Sequence, residues 1–314
     1  MNKKQFDNLV RSLGELTVSQ RSALAQALEE ASAPDEVLQI INARAERCRL
    51  CPGCGSTSAY RWGFRAGVQR YRCKQCGRTY TALSASPLAH LKRKDAWLKY
   101  LEAMKQGLSV RKAADAAGIN MTTAFRWRHR MLIAPSQQKD REMDGIVEAD
   151  ETYFLESYKG SRSMPRESRK RGGKAKKHGL SAEQIPVLVV RDRLGHHFDA
   201  VLSEANIKNI GLLLPQLLSD QSVLCSDGAY VYKWVAKSFG IPHESLNLSK
   251  GLRIKKRIFH VQNVNAYDSR LKRWMERFNG VATKYLPNYL GWRRMLDRQG
   301  SALTPPSALA LALG

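Results

Sequence analysis

Apolar residues recur at helical spacing over the first 47 residues of the chain. Phe6, Leu9 and Leu13 stand three or four positions apart, as on one face of a helix. The pattern predicts two amphipathic helices in segment 1–47, with Pro34 breaking the apolar run because proline cannot continue helical hydrogen bonding. It leaves open whether this face packs internally, against a second copy or against DNA.

Helical spacing returns between residues 87 and 134, where glycines divide the pattern into three helices. Gly107 and Gly118 are predicted to end the first two, since glycine readily adopts the conformation that closes a helix. The third is expected to turn four side chains inward: Ala124, Phe125, Met131 and Leu132. The segment therefore predicts a helix-turn-helix, followed by a polar linker at 135–144.

From residue 145 to 296 short apolar or alternating runs are interspersed with helical ones. Strands are predicted around 145–154, 186–191, 197–202, 222–228 and 245–248, and helices at 207–218, 230–239 and 260–278. This order predicts an α/β fold with a mixed sheet flanked by helices. A basic segment at 158–180 is expected to form a loop, and 297–314 is read as a C-terminal tail.

The charge balance points to a polyanionic partner. The chain has 314 residues, 52 Lys and Arg against 28 Asp and Glu, and a net charge of +24. Such an excess favours nucleic acid, because basic side chains release the counterions of phosphates. A ribosomal-type or merely soluble basic protein is the alternative. No apolar run reaches the length of a membrane span and no signal peptide is evident, so a cytoplasmic location is expected.

In this context the third helix of segment 87–134 is expected to enter the major groove of DNA. Its basic residues are the candidate contacts: Arg126, Arg128, His129 and Arg130. The alternative is an ordinary helical hairpin with a solvated basic face.

Four of the six cysteines form two C-x2-C pairs, Cys51 with Cys54 and Cys73 with Cys76. Two such pairs supply the four thiolates of a closed, structural zinc site. Cys48 is left out because the second pair already completes the set, and Cys225 is read as a core residue. Segment 48–86 is thus predicted to be a zinc ribbon, whose arginines contact DNA backbone.

Carboxylates occupy unexpected places in segment 145–296. On the first strand Glu148, Asp150 and Thr152 share one face, where unpaired charge is costly to bury. The strand alone is compatible with a metal ion or an ion pair. Asp227 ends a later strand, and carboxylates from two adjacent strands can hold two Mg²⁺ ions that activate a nucleophile on a phosphodiester.

A third group for such a site would come from the helix at 260–278. Its apolar stripe leaves one polar flank, on which Asn265, Asp268 and Lys272 project together.

Taken together, these motifs resemble a bacterial insertion-sequence transposase of the DDE (RNase H-like) superfamily, in the group with a zinc ribbon and a D, D, N-or-E, K signature. The resemblance covers residues 45–296. It rests on the cysteine pairs and on stretches 123–130, 148–153, 226–228, 260–272 and 280–292.

The resemblance implies that Asp150, Asp227 and Asn265 bind Mg²⁺ or Mn²⁺, as two ions, and that Lys272 contacts DNA near the reacting phosphate. Most of the superfamily has Glu where this chain has Asn265, which offers a neutral oxygen. Asp268 is the alternative third ligand, and Glu148 is a reserve candidate.

The expected function is that of a transposase that binds terminal inverted repeats and catalyses Mg²⁺-dependent cleavage and strand transfer, as a homodimer or larger assembly on double-stranded DNA. The first alternative is a catalytically inactive DNA-binding regulator derived from a transposase. A basic RNA-processing nuclease of the same fold is the other.

Overall fold

A computed structural model describes residues 2–47, 49–140, 142–167, 169, 172–173, 175–176, 181–246, 251 and 253–314 of the chain. Three sequence predictions lie partly or wholly outside these residues. They concern Cys48, the basic segment 158–180 and the end of the strand predicted at 245–248.

The N-terminal segment forms α1 (Lys3–Ser12) and α2 (Val18–Arg47). The predicted break at Pro34 is wrong, since α2 continues through it. Proline inside a helix costs about 3 kcal/mol. Burial of Val37, Ile41 and Ala45 on one face of the second half of α2 offsets that cost. No residue of α1 is buried.

Three antiparallel strands follow: β1 (Ala59–Arg65), β2 (Val68–Cys73) and β3 (Thr79–Thr81), with β2 in the middle. One face of this small sheet is internal, where Tyr71 and Tyr80 stack with ring centroids 5.8 Å apart. Gly67 turns the chain between β1 and β2 at a φ of +75°, a conformation that glycine adopts without strain.

The three helices predicted after the ribbon are confirmed as α3 (Trp97–Lys105), α4 (Val110–Ala117) and α5 (Met121–Met131). Side chains of Ser109 and Asn120 accept backbone hydrogen bonds at the starts of α4 and α5. Gly118 ends α4 in the left-handed conformation, as predicted.

The predicted DNA contact of Arg128 is wrong for this structure, because the side chain is fully buried. Its guanidinium donates to the Leu108 carbonyl at 2.7 Å and lies 5.0 Å from the ring centre of Trp292. A cation among aromatic rings with a carbonyl acceptor is stabilised where an unpaired one would not be.

The neighbours of Arg128 on α5 also depart from the prediction. His129 stacks on Tyr285 with centroids 3.6 Å apart, and burial lowers its pKa to about 4, so it carries no charge for a phosphate. Arg130 donates to the carbonyls of Pro87 and Ala89. Phe125, predicted to point inward, is exposed.

Arg126 is therefore the one member of the predicted basic set on α5 that remains exposed. Of the four residues predicted to contact DNA from α5, the structure leaves Arg126 as the exposed candidate.

The larger sheet has the strand order β6-β5-β4-β7-β8. Its strands are β4 (Ile146–Leu155), β5 (Gln184–Asp192), β6 (His197–Val201), β7 (Val223–Ser226) and β8 (His243–Ser245). Central β4 pairs antiparallel with β5 and parallel with β7. This mixed sheet confirms the predicted α/β, RNase H-like class.

Helices cover both faces of this sheet. Val147 and Ala149 pack in a cluster with residues of α7 (Ile207–Leu213) and α8 (Tyr230–Phe239). Val187 and Val189, on the other face, pack in a cluster with α9 (Gln262–Glu276). Because side chains alternate along a strand, Glu148, Asp150 and Thr152 of β4 face the α9 side.

The C-terminal part of the chain is α10 (Leu286–Gln299) and α11 (Pro305–Leu313). The interpretation of 297–314 as a tail is wrong, since Leu309 and three other residues of α11 are buried. Thr304 caps this helix and Pro305 is its first residue, which together are a typical helix start. The Ala-Leu run that follows has no helical period, so the start was not recognised as one.

The predicted linker 135–144 begins inside a packed helix, α6 (Ile133–Gln137). Gly291 of α10 approaches it so closely that an added Cβ would lie 2.4 Å from the Ser136 Cα. Buried Arg294 donates to the carbonyls of Ser136 and Gln138 and pairs with Asp199 of β6.

Within the described part of the chain, no helix is both long enough and apolar enough to span a bilayer.

Leu309→Ala should lower the free energy of unfolding by about 2–5 kcal/mol, because it leaves a cavity where α11 meets the core. Leu212→Ala is the matched control, since Leu212 on α7 is exposed and its loss should change stability by less than about 0.5 kcal/mol. Urea denaturation of both variants measures the difference. Equal effects would mean that α11 does not belong to the folded core.

Candidate active site and zinc site

The four predicted zinc ligands come together. The Sγ atoms of Cys51, Cys54, Cys73 and Cys76 all lie within 4.8 Å of one another, with two pairs at 3.5 and 3.6 Å. A tetrahedral zinc site with Zn–S bonds of about 2.3 Å has S–S edges of about 3.8 Å, so the cluster fits zinc. Gly55 and Gly77 each close a turn after a cysteine pair at positive φ. Four sulfur ligands leave no open position, which makes this a structural site.

Asp150 and Asp227 lie side by side through the register of two parallel strands. Glu148 of β4 stands opposite Cys225 of β7, so the same register two residues on sets Asp150 opposite Asp227. Asp227 is the first residue beyond β7, and its Oδ1 accepts from the Ala229 N–H at 2.9 Å. Both carboxylates are half-buried. The sequence prediction of adjacent strands is confirmed.

Gly228 allows a sharp turn directly after Asp227. A Cβ at this position would lie 2.6 Å from the Ser245 Oγ, and its φ is +87°. Glycine therefore lets the chain leave β7 directly beneath Asp227.

Negative charge accumulates around Asp150. Burial, reinforced by the charge of Asp227, raises the pKa of Asp150 to about 6, while Lys272 opposes the shift. Burial also raises the pKa of Glu151 to about 7, again with Asp150 and Asp227 contributing. Partly desolvated carboxylates that repel one another favour a cation between them. Glu151 was missed by sequence reasoning because strand alternation assigns it to the opposite face of β4.

The α9 residues Asn265, Asp268 and Lys272 differ in burial. Asn265 and Lys272 are exposed, whereas Asp268 is buried and its Oδ1 has no hydrogen-bond partner. Burial raises the pKa of Asp268 to about 7, with the charge of Asp150 as the second cause. A buried carboxylate oxygen without a partner, close enough to Asp150 to feel its charge, is chemically suited to a metal ion, but within the described residues the ligand atoms of Asp150, Asp227 and Asp268 do not all lie within 4.8 Å of one another.

Glu148 is not a reserve metal ligand, because its carboxylate is fully engaged. One oxygen accepts the backbone N–H groups of Asn263 and Val264 at 2.8 and 3.1 Å. The other pairs with Arg193 at 3.0 Å and lies 3.3 Å from the His260 ring. The side chain is buried.

These contacts make Glu148 the cap of α9. The N-cap residue of that helix, Val261, has no side-chain acceptor, so the first amides of α9 depend on a carboxylate from β4. The sequence held one signal of this arrangement. Val261 is apolar at the N-cap position, where a hydrogen-bond acceptor is usually found, so the cap of α9 has to come from elsewhere.

Glu148→Gln should lower the free energy of unfolding by about 2–4 kcal/mol, because it removes the charge that caps α9 and pairs with Arg193. Hydrogen exchange at the amides of Asn263 and Val264 should accelerate. Glu276→Gln, at the exposed end of the same helix, is the control and should change neither measurement. Weaker Mn²⁺ binding with unchanged stability and exchange would instead make Glu148 a ligand.

Comparison with known proteins places this site in a family. Residues 142–293 match the sequence model of the ISXO2-like transposase domain. A relative from Halobacterium salinarum, named "Uncharacterized protein in transposable element ISH50", is 27% identical over 244 residues, 76% of this chain and 82% of the relative.

Among solved structures, a chain of a simian T-cell lymphotropic virus intasome in complex with PP2A regulatory subunit B56 gamma is 13% identical. The match covers 62% of this chain and 66% of that one, with a TM-score of 0.28. A chain of a pre-cleavage Mos1 transpososome is 10% identical over 68% of this chain and 76% of that one, with a TM-score of 0.20. Scores this low carry no argument about this protein.

The predicted relationship to insertion-sequence transposases is thus confirmed, while a bacterial source stays a prediction. The zinc-compatible ribbon and the mixed sheet agree with it. Residues 142–293 are similar to the ISXO2-like transposase domain, and this match together with the relative from a transposable element supports an insertion-sequence transposase.

Proposed function

We propose that this protein binds the terminal inverted repeats of an insertion sequence and catalyses metal-dependent cleavage and strand transfer of double-stranded DNA. The observation that carries the proposal is the parallel pairing of β4 with β7, which brings Asp150 and Asp227 close enough for their charges to interact. The charge of Asp150 also acts on Asp268, whose Oδ1 is buried without a hydrogen-bond partner. The family assignment supports the same reaction class.

Asp150 and Asp227 would hold Mg²⁺ or Mn²⁺, as one or two ions, with a third oxygen from α9. Bound there, the metal supplies Lewis-acid activation of the attacking oxygen and stabilises the leaving oxygen. We rank Asp268 first for the third oxygen because it is buried, charged and unpartnered on one side. Asn265, which the family resemblance implies, is the alternative.

The remaining residues would position DNA. Exposed Lys272 lies near enough to Asp150 and Asp268 to oppose the rise of their pKa, so a phosphate bound by this ammonium would lie beside the carboxylates. Arg126 and the ribbon arginines supply further contacts to the duplex. Because two element ends must be joined, we expect a homodimer or larger assembly, acting in the cytoplasm.

A catalytically inactive DNA-binding regulator is the alternative function. The neutral side chain of Asn265 at the position of the third metal ligand favours the inactive regulator, since most of the superfamily has Glu there. Sequence-specific binding without metal-dependent nicking would identify this case.

Asp150→Asn and Asp227→Asn should each abolish strand transfer, because an amide cannot supply the negative charge that holds a divalent cation. A labelled DNA carrying the native element ends, incubated with Mg²⁺ and a target plasmid, measures cleavage and joining. Glu276→Gln serves as the control and should retain wild-type activity. Product from either Asn variant would contradict the assignment.

The third ligand can be identified by metal titration. Asp268→Asn should raise the Mn²⁺ concentration at half-saturation by about tenfold or more, whereas Asn265→Ala should raise it less, because a carboxylate binds a hard cation more strongly than a neutral amide. Calorimetric titration of zinc-loaded protein gives both values. The opposite order would assign the position to Asn265.

A further inference from the structure

The zinc ribbon carries an exposed aromatic face. Tyr60 and Trp62 on edge strand β1 are 39% and 42% exposed. Their rings meet edge to face with centroids 5.6 Å apart, and the Arg72 guanidinium lies 5.0 Å from the Trp62 ring centre.

The register assigns these side chains to the outer face of the small sheet. Tyr60 stands opposite Arg72 on β2, whereas the next residue, Arg61, stands opposite buried Tyr71. Arg70 alternates with Tyr71 and so shares the outer face with Arg72. We call the set Tyr60, Trp62, Arg70 and Arg72 the aromatic platform.

A local irregularity helps to shape this face. The β1–β2 register shifts between Arg61 and Phe64, where Gly63 has a φ of +69°. Such a bulge bends the strand and re-aims the side chain beside it, here Trp62.

The positive charge around the platform indicates which kind of partner binds there. Residues 49–94 contain ten Lys and Arg and no Asp or Glu. The ten are Arg49, Arg61, Arg65, Arg70, Arg72, Lys74, Arg78, Lys92, Arg93 and Lys94. Glu46 of α2 pairs with Arg61, on the opposite face. A second copy of this face would set arginines against arginines, whereas a polyanion complements it.

Phosphates alone do not explain the aromatic rings. Arginines are sufficient for the backbone of a duplex, whose bases are already stacked on one another. Exposed aromatic side chains interleaved with arginines are how proteins hold unpaired nucleotides, with bases on the rings and phosphates on the cations.

We propose that the aromatic platform binds unpaired nucleotides of DNA, with bases stacked on Trp62 and Tyr60 and phosphates paired with Arg70 and Arg72. This deepens the proposed function, on which it rests for the source of the DNA: an element end at which the strands have separated or been cut. The platform is then a site for single-stranded DNA, and contact with the duplex is left to Arg126 and the ribbon arginines outside the platform.

Fluorescence anisotropy tests the proposal on the full, zinc-loaded chain carrying Asp150→Asn, without added Mg²⁺ or Mn²⁺, so that no DNA is cut. The probes are a 15-nucleotide thymidine oligonucleotide, a blunt duplex, and the same duplex with a four-nucleotide overhang. Trp62→Ala should weaken binding of the oligonucleotide and the overhang at least about tenfold, and of the blunt duplex less than about twofold.

Matched variants keep this result interpretable. Trp62→Phe retains an aromatic face and should recover most of the affinity. Phe239→Ala removes another exposed aromatic residue, on α8, and should have no effect. One zinc per chain in Trp62→Ala would show that the ribbon is still folded.

Tryptophan emission reports stacking directly. Of the six tryptophans, Trp62 and Trp234 are exposed and the other four are buried. In a Trp234→Phe chain the oligonucleotide should therefore quench emission from Trp62. The quenching should disappear when Trp62→Phe is added.

Three results would overturn the proposal: equal loss of duplex and oligonucleotide binding in Trp62→Ala, no loss of either, or conversion of a DNA-free dimer to monomer in sedimentation velocity. The first would mean phosphate contact alone and the last a protein interface. Absence of strand transfer by the wild-type chain would count against the proposed function and leave the binding result intact.

Discussion

One buried carboxylate holds the elements of the candidate active site together. Glu148 lies in the middle of the central strand and accepts the first free amides of α9, the helix that carries Asn265, Asp268 and Lys272. Without that charge α9 would begin with unsatisfied donors next to a buried face. The same carboxylate pairs with Arg193, in the turn between β5 and β6, and lies close to the His260 ring, before α9. It therefore links β4 to that turn and to α9. Together with the packing of Val264, Tyr267 and Leu271 against the sheet, this contact holds α9 in place relative to Asp150.

A second constraint joins the helices α3–α5 to the domain of the larger sheet. Arg128 extends from α5 into a pocket that includes the Trp292 ring of α10. Gly291 of α10 lets α6 approach within contact distance, and Arg294 donates to carbonyls at the C-terminal end of α6. One hydrophobic cluster accordingly runs from α2 through α3–α5 to α9, α10 and α11. The boundary drawn at 135–144 from polarity is therefore not a flexible joint.

Local pattern was enough for the strands of the larger sheet, the helices α3–α5 and α9, and the zinc cysteines, but not for the continuity of α2 or for α11. The pairing of Asp150 with Asp227 followed from their expected places on neighbouring strands. Local pattern did not predict the buried contacts of Arg128, His129 and Glu148. Whether a basic residue on a helix faces solvent or a buried carbonyl is decided by elements far away in sequence, as the 20 residues between Arg128 and Leu108 illustrate. Leu309 escaped notice for a related reason: a continuous Ala-Leu run has no polar face, so its sequence does not mark which side of α11 is buried.

The rigid seating of α5 has a consequence for how a cut position would be chosen. If Arg126 and the ribbon hold one stretch of an element end, the packing through Arg128 fixes the span from that stretch to Asp150. The protein would then cut at a fixed distance from the stretch of DNA that it holds. Each added base pair would carry the scissile phosphate about 3.4 Å along the axis and about 34° around it, out of reach of carboxylates that cannot follow.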